Sequence, residues 1–355
     1  IGPYSVNYVG YWDGSEWNDM GGTDAKVEAL AYDGNFLWIG GIFTNVDVAG
    51  GGAYSPGLAL FQDGSWYAGY YWVTGGGQSV SALGWDSINN NLYAGGNFTS
   101  ADSYNATVPA NNIAVFNEDT GNWSALGSGL NGTVNAILAT NDVVYVGGSF
   151  TTAGGVTVNG IAKWDATAGA WSALGSGVSG TGASPEGSPS VNSLVMIGTN
   201  LYVGGSFTNA GGVFAQGLAV WNGSTWSGLG SGVYDASGFS QAGFVDALAA
   251  IGNNLYAGGV FTTAGSKPSS FIAHWNDQLD YYPTPHPFLS RGTWLPGDGF
   301  QFRLGGTSGE SYILEGSTNF VHWTPLFTNS ATLYDFTDPN ALIYPHRFYR
   351  SVLGP

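Results

Sequence analysis

The stretch Val144-Tyr145-Val146-Gly147-Gly148-Ser149-Phe150-Thr151 decides the architecture, because its core does not occur only once. The frame Gly-Gly-x-Phe-Thr begins at Gly40, Gly95, Gly147, Gly204 and Gly258, at intervals of 55, 52, 57 and 54 residues. Internal repetition at a period of this size belongs to solenoids, propellers and arrays, and it governs every later reading of the chain.

Outward from that frame, each copy carries four parts. A Val-x-Ala-Leu-like segment comes first (Val27 to Leu30, Val80 to Leu83, Val134 to Ile137, Val191 to Leu194, Val245 to Leu248). The Leu-Tyr-x-Gly-Gly segment follows, as in Leu201 to Gly205, then Ile-Ala-x-Trp, as in Ile161 to Trp164, and Trp-Ser-x-Leu-Gly, as in Trp171 to Gly175 and Trp226 to Gly230. The segments are short, rich in Val, Ile, Tyr, Phe and Trp, and bounded by Asp-Gly, Asn-Gly and Asn-Asn, so they predict strands joined by hairpins. Four strands per unit is the pattern of a propeller blade.

The expected fold is all-β: a five-bladed β-propeller over residues 1–277, a Pro-rich linker over 278–299 (Pro283, Pro285, Pro287, Pro296), and a small β-sandwich over 300–355. A linear solenoid is the competing reading of the repeat. The ends favour a ring. The chain opens on a third and a fourth strand, Val9-Gly10-Tyr11-Trp12 and Glu16-Trp17-Asn18, and the last unit stops after Ile272-Ala273-His274-Trp275. The N-terminal fourth strand is therefore expected to complete the last blade and remove its sheet edge. The third strand then occurs once too often.

Composition narrows the function classes. The chain has 355 residues, 59 of them Gly, and a formal net charge of −17 with only seven Lys and Arg. Four of those seven (Arg291, Arg303, Arg347, Arg350) lie in the last part of the chain. Nucleic acid is excluded as a partner, because phosphate neutralisation needs clustered cations. With no Cys there is no disulfide, thiolate nucleophile or zinc–thiolate site. No apolar run is long enough for a transmembrane helix. The start at Ile1 is consistent with removal of a signal peptide.

The unit Trp123-Ser124-Ala125-Leu126-Gly127 … Val134-Asn135-Ala136-Ile137 … Val144 to Gly148 … Ile161-Ala162-Lys163-Trp164-Asp165 resembles the kelch-like propeller repeats of the fungal cortical cell-polarity marker family and of secreted bacterial surface proteins, over residues 8–277. Residues Gly309 to Phe320, His322 to Leu326, Phe336 to Pro339 and Arg347 to Arg350 resemble the small C-terminal β-domain of exported verrucomicrobial proteins. Together these resemblances imply a bacterial, extracellular or cell-surface protein with an interaction or structural role, rather than an activity.

Two sets of residues are candidates for a site. The long loops on one side carry Tyr54, Tyr70, Tyr71, Trp72, Tyr104, Tyr234 and Phe239, which suit sugar stacking or protein contact unless they fold back onto the blades. The second position of the first strand is polar in every copy (Glu28, Ser81, Asn135, Asn192, Asp246) and would ring the channel mouth as a solvated rim, a cation site of oxygen ligands, or a carboxylate pair of a glycosidase from Glu28 and Asp246 in adjacent blades. The four His residues (His274, His286, His322, His346) show no metal-ligand spacing, and no nucleophile elbow or phosphate loop occurs. No cofactor is implied beyond that possible cation. The expectation is a secreted, non-catalytic structural or adhesive protein that self-associates into a filament or surface layer or binds other surface proteins. A glycan-binding module and a propeller glycosidase stand behind it.

Overall fold

The structure, a computed structural model, describes residues 7–47, 50–180, 188–235, 243–265, 267–276, 288–289, 293–295, 299–305, 311–319, 321–329, 333–344 and 347–353. Among them there is no α-helix. The chain divides into two compact units, Ile1–Asp277 and Gln278–Pro355.

In the first unit the repeat becomes five successive antiparallel sheets of the up-and-down propeller type. The first runs through Val27–Tyr32, Leu37–Gly41, Leu58–Gln62 and Ser65–Tyr67. The second, third and fourth repeat it from Ser79–Asp86, Thr133–Thr140 and Ser190–Ile197. The fifth has three strands, Phe244–Ile251, Asn254–Val260 and Ile272–Asn276. Each first strand slips by one residue just after its Val, as between Val134 and Ala136. Such a bulge increases the local twist.

One contact sets the spacing of the sheets. A Cβ built on Gly40 would lie 2.7 Å from Val80 Cγ1, on Gly95 2.5 Å from Val134 Cγ1, on Gly147 2.4 Å from Val191 Cγ1, and on Gly204 2.7 Å from Val245 Cγ1. The first Gly of the repeated frame is thus the floor on which the Val of the next sheet stands, and no larger residue fits. The ring of the frame's Phe fills the base of each step: Phe43, Phe98, Phe207 and Phe261 are fully buried.

A second link recurs across the steps. The indole N–H of Trp171 donates to Leu126 O at 2.9 Å, and that of Trp226 to Leu174 O at 2.7 Å. Trp66 makes the same bond to Met20 O. Trp123 Nε1, in the same frame position, is buried without a partner among the described residues. Its partner would come from the Leu of the preceding Trp-Ser-x-Leu-Gly, where this chain instead reads Trp66-Tyr67-Ala68-Gly69-Tyr70.

The expected completion of the fifth sheet does not form. Gly10–Trp12 pairs with Trp17–Asp19, with Trp12 opposite Trp17, as Trp164 stands opposite Trp171 and Trp221 opposite Trp226. This hairpin is the outer half of a blade, and it packs on the first sheet, where Val9 and Met20 are buried with Ile39, Phe43 and Val46. The first strands of consecutive sheets pack against one another, whereas the first and fifth form no comparable interface. The physical reason is pairing: the surplus third strand already satisfies Trp17–Asp19.

The loops after each frame are also more ordered than their Gly content suggests. They build a second tier of small sheets, such as Tyr71–Thr74 with Ser100–Ser103 and Ala106–Pro109.

In the second unit, Gly299–Gly305 pairs with Phe288–Leu289, Thr293–Leu295 and Leu333–Asp338, and Tyr312–Ser317 lies between Thr324–Asn329 and Phe348–Leu353. The two sheets share a core of Phe302, Tyr312 and Leu314 with Phe300, Phe336 and Tyr349. Buried Asp338 lies 2.7 Å from Arg347 Nε and accepts the Tyr349 hydroxyl at 3.0 Å. Residues 288–289 and 293–295, read from sequence as linker, are strands of this unit. The prolines at 283, 285, 287 and 296 lie outside the described residues.

The Gly–Val step gives a direct expectation. Gly147→Ala forces a methyl into Val191 and should destabilise the first unit by about 1–3 kcal/mol, as overpacking does. Gly258→Ala, whose Cβ would meet nothing nearer than Phe271 O at 3.8 Å, should change stability by less than about 0.5 kcal/mol. Urea unfolding followed by Trp fluorescence measures both, and equal effects would refute the contact as the spacing element.

Candidate functional site

The polar positions of the first strands serve as joints between sheets. Ser81 Oγ donates to Glu28 Oε2 at 2.7 Å, and Lys26 Nζ pairs with Glu28 Oε1 at 3.0 Å. Asn135 donates to Val191 O at 3.5 Å and Asn192 to Val245 O at 3.1 Å. Loss of hydration raises the pKa of Asp246. Glu28 and Asp246 lie on the first strands of the first and fifth sheets, which share no interface comparable to those between consecutive sheets. No group of three potential metal ligands occurs among the described residues.

The loop aromatics separate into two kinds. Tyr71 is core: its ring lies 4.5 Å from Phe116 and 5.6 Å from Trp38. Burial and the nearby Glu118 carboxylate push its phenol up. Trp72 and Tyr234 are half-buried in the second tier, paired opposite Asp102 and Thr263. Tyr54, Tyr70 and Tyr104 are exposed, Tyr104 by 80%, and the Tyr104 N–H donates to Tyr70 O at 3.2 Å. Phe239 lies outside the described residues.

Sequence reading missed an acid pair on the short-turn side. In the turn after the first strand of sheet one, Asp33 Oδ1 accepts the N–H groups of Asn35 and Phe36, both at 2.7 Å, and Oδ2 accepts the Trp38 indole at 2.6 Å. Partial burial opposes ionisation of Asp33, but these donors and Glu118 hold its carboxyl low. Glu118, from a turn of sheet two, is pushed up to about 7, first by burial and then by its hydrogen bond to Asp33 and the charges of Asp33 and Asp119. Two acids from adjacent sheets thus face each other, with the proton favoured on Glu118 and the charge on Asp33. Neither turn is unusual in sequence, and only the stacking brings them together.

The ends of the array are the remaining feature. Leu30 faces the side from which a preceding sheet would come and is 56% exposed, whereas its counterparts Leu83, Ile137, Leu194 and Leu248 pack at interfaces. At the other end Gly258 carries no Val, and Ile272 is 66% exposed where Ile113 and Ile161 are fully buried. Residue Phe271 holds φ 67° at the position filled by Gly57, Asn112, Gly160 and Gly217, all left-handed. For Phe this backbone is strained, and its ring stands in solvent.

No protein-family model and no curated protein matches the chain. Similar solved structures include WD40 propeller domains. The structure of U3-55K is 12% identical, with a TM-score of 0.42, and covers 71% of this chain, which spans 63% of it. The WD40 β-propeller domain of Doa1 is 13% identical, with a TM-score of 0.41, and covers 88% of this chain and 86% of its own length. The WD40 repeats of RRP9 are 10% identical, with a TM-score of 0.38, covering 70% and 76%. None of these likenesses says what this chain does.

The acid pair predicts a pH dependence. Glu118 has a raised folded pKa, so between its ordinary value and about 7 the folded state holds the extra proton. Stability therefore falls as pH rises through that window. Glu118→Gln should flatten the fall, measured as melting temperature between pH 5 and 8. An unchanged slope would remove the pair as its cause.

Proposed function

We propose that the chain is a secreted, non-catalytic structural protein, built on a five-bladed kelch-like propeller repeat with a small β-sandwich, that associates end to end into an extracellular filament or surface layer. One observation carries this reading. The Gly–Val step is used four times within the chain, and its two halves do not meet at the ends: at one, Leu30 is exposed beside Val27, which packs on the core under the hairpin instead of on a Gly, and at the other Gly258 and Ile272 stand uncovered. A heterologous contact of that kind closes into a ring or propagates as a filament. The strained Phe271 supports it, since a backbone cost of about 1–3 kcal/mol at an exposed apolar residue is retained where that residue is used. A low share of charged residues and abundant aromatics suit a packed assembly.

Sedimentation velocity and electron microscopy of the purified chain test this. Leu30→Asp, in a position exposed in the single chain, should leave the melting temperature unchanged and weaken association at least about tenfold, equivalent to 1.4 kcal/mol. Phe271→Gly should raise the melting temperature and weaken association. A chain that stays monomeric at high concentration would overturn the reading.

A second reading rests on Tyr54, Tyr70 and Tyr104, exposed on neighbouring loops of the first two sheets. Exposed rings of this kind stack on sugar faces. Glycan-array binding that Tyr104→Ala abolishes would support it, and an array without signal would remove it.

A further inference from the structure

The fifth sheet contains a cavity lined by Leu229, Ala264, Gly265, Ala273, His274 and Trp275, among others. Its counterpart one sheet earlier is filled. There Trp226, from the fourth strand, stands over Gly211 and Gly175, where built Cβ atoms would meet its Cδ1 at 2.3 and 3.3 Å, and it lies 5.3 Å from the ring of Trp221. The matching residues in the fifth sheet are Gly265, which meets nothing within 4 Å, and Gly230 and Trp275. Leu229 corresponds to Leu174, whose carbonyl receives the Trp226 indole. The cavity is therefore a Trp socket, and the sequence after Trp275 carries no further Trp-x-x-Leu-Gly motif to fill it.

The N-terminal hairpin holds a Trp in that frame. Trp17-Asn18-Asp19-Met20-Gly21 aligns with Trp226-Ser227-Gly228-Leu229-Gly230, and Trp17 is exposed. Resting on the end-to-end association above, we propose that Trp17–Asp19 of a second copy enters as the fourth strand of the fifth sheet, with its Trp17 in this socket and Ile272–Asn276 taking the place of Gly10–Trp12. The occupant is a second copy because the hairpin is already held on its own first sheet by Val9, Met20 and the Trp66 indole bond, and the first and fifth sheets of one chain share no comparable interface. The placement is also self-consistent. The hairpin already stands where a preceding sheet's outer half belongs, so the movement that seats Trp17 brings Val27 of that copy onto Gly258. Charge agrees: the hairpin carries Asp13, Glu16 and Asp19 with no Lys or Arg, and Lys267 lines the socket. Gly10–Trp12 then has a role, since it covers the donor strand until exchange and leaves it no free edge.

The register of the other sheets fixes the neighbours. Lys163 stands opposite Ser172 and Trp164 opposite Trp171, so His274 is expected opposite Asn18 of the second copy. Because the chain has no Cys, Asn18→Cys and His274→Cys introduce the only thiols. The two single variants, checked by melting temperature, are mixed and treated with a short bis-maleimide, while sedimentation reports association independently. The expected result is a heterodimer adduct formed only in the mixture and lost at least about tenfold when Trp17→Ala is added to the Asn18 variant. An intramolecular adduct in the double variant would show that the chain's own hairpin fills the socket and overturn the proposal. Association without any adduct would overturn the strand exchange and leave end-to-end packing standing. Failure to associate would overturn both.

Discussion

The architecture rests on the absence of a side chain. At Gly40, Gly95, Gly147 and Gly204 a Val from the following sheet reaches the backbone so closely that a single Cβ would collide with it. Close-packed interiors have little slack, so this approach fixes both the separation and the register of neighbouring sheets, and the same geometry is imposed at every step. The Phe three residues after that Gly then fills a space whose size the Gly has set, and the Trp–carbonyl bond ties the outer strands across the same step. Stability in such an array is a sum of sheet and interface terms, which is why an element lost in one place, such as the carbonyl for Trp123, is tolerated.

A chain built by repetition of one interface has a problem at its ends. Within the array each sheet offers one half of the step on one face and the other half on the opposite face. A terminal sheet keeps one half unmatched, and a ring solves this by joining the ends. Here the joining strand is engaged by a surplus partner, Gly10–Trp12, so the two halves remain apart within the chain. The surplus strand, the strained Phe271, the bare Leu30 and the Trp socket are unrelated in sequence, yet all lie at these two ends.

Much of the fold was legible because the repeat writes its strands out five times. The strand order, the four-part unit and the role of the Trp and Phe positions as core follow from residues that recur in frame. The choice between Gly10–Trp12 and Ile272–Asn276 as partner of Trp17–Asp19 was not legible, since both carry the same pattern and pattern alone does not rank two equivalent strands. The loop aromatics divided for a similar reason: Tyr71, the first residue of its strand, packs on Trp38 and Phe116, while Tyr70, its neighbour in sequence, stays in the bend before that strand and is exposed. The Asp33–Glu118 pair was invisible because its members are distant in sequence and ordinary in their own turns.

That acid pair bears on the proposed assembly in a way the end faces alone do not. A chain with net charge −17 repels its copies, and the repulsion weakens as carboxylates gain protons and as salt screens them. Glu118 takes up its proton near neutrality, at the joint between the first two sheets, so the same small fall in pH removes one negative charge from the chain and the repulsion between Glu118 and its neighbours Asp33 and Asp119. In the proposed assembly that joint would matter because a docking face made of one sheet must be presented as a unit, and a face ordered beforehand loses less entropy on association.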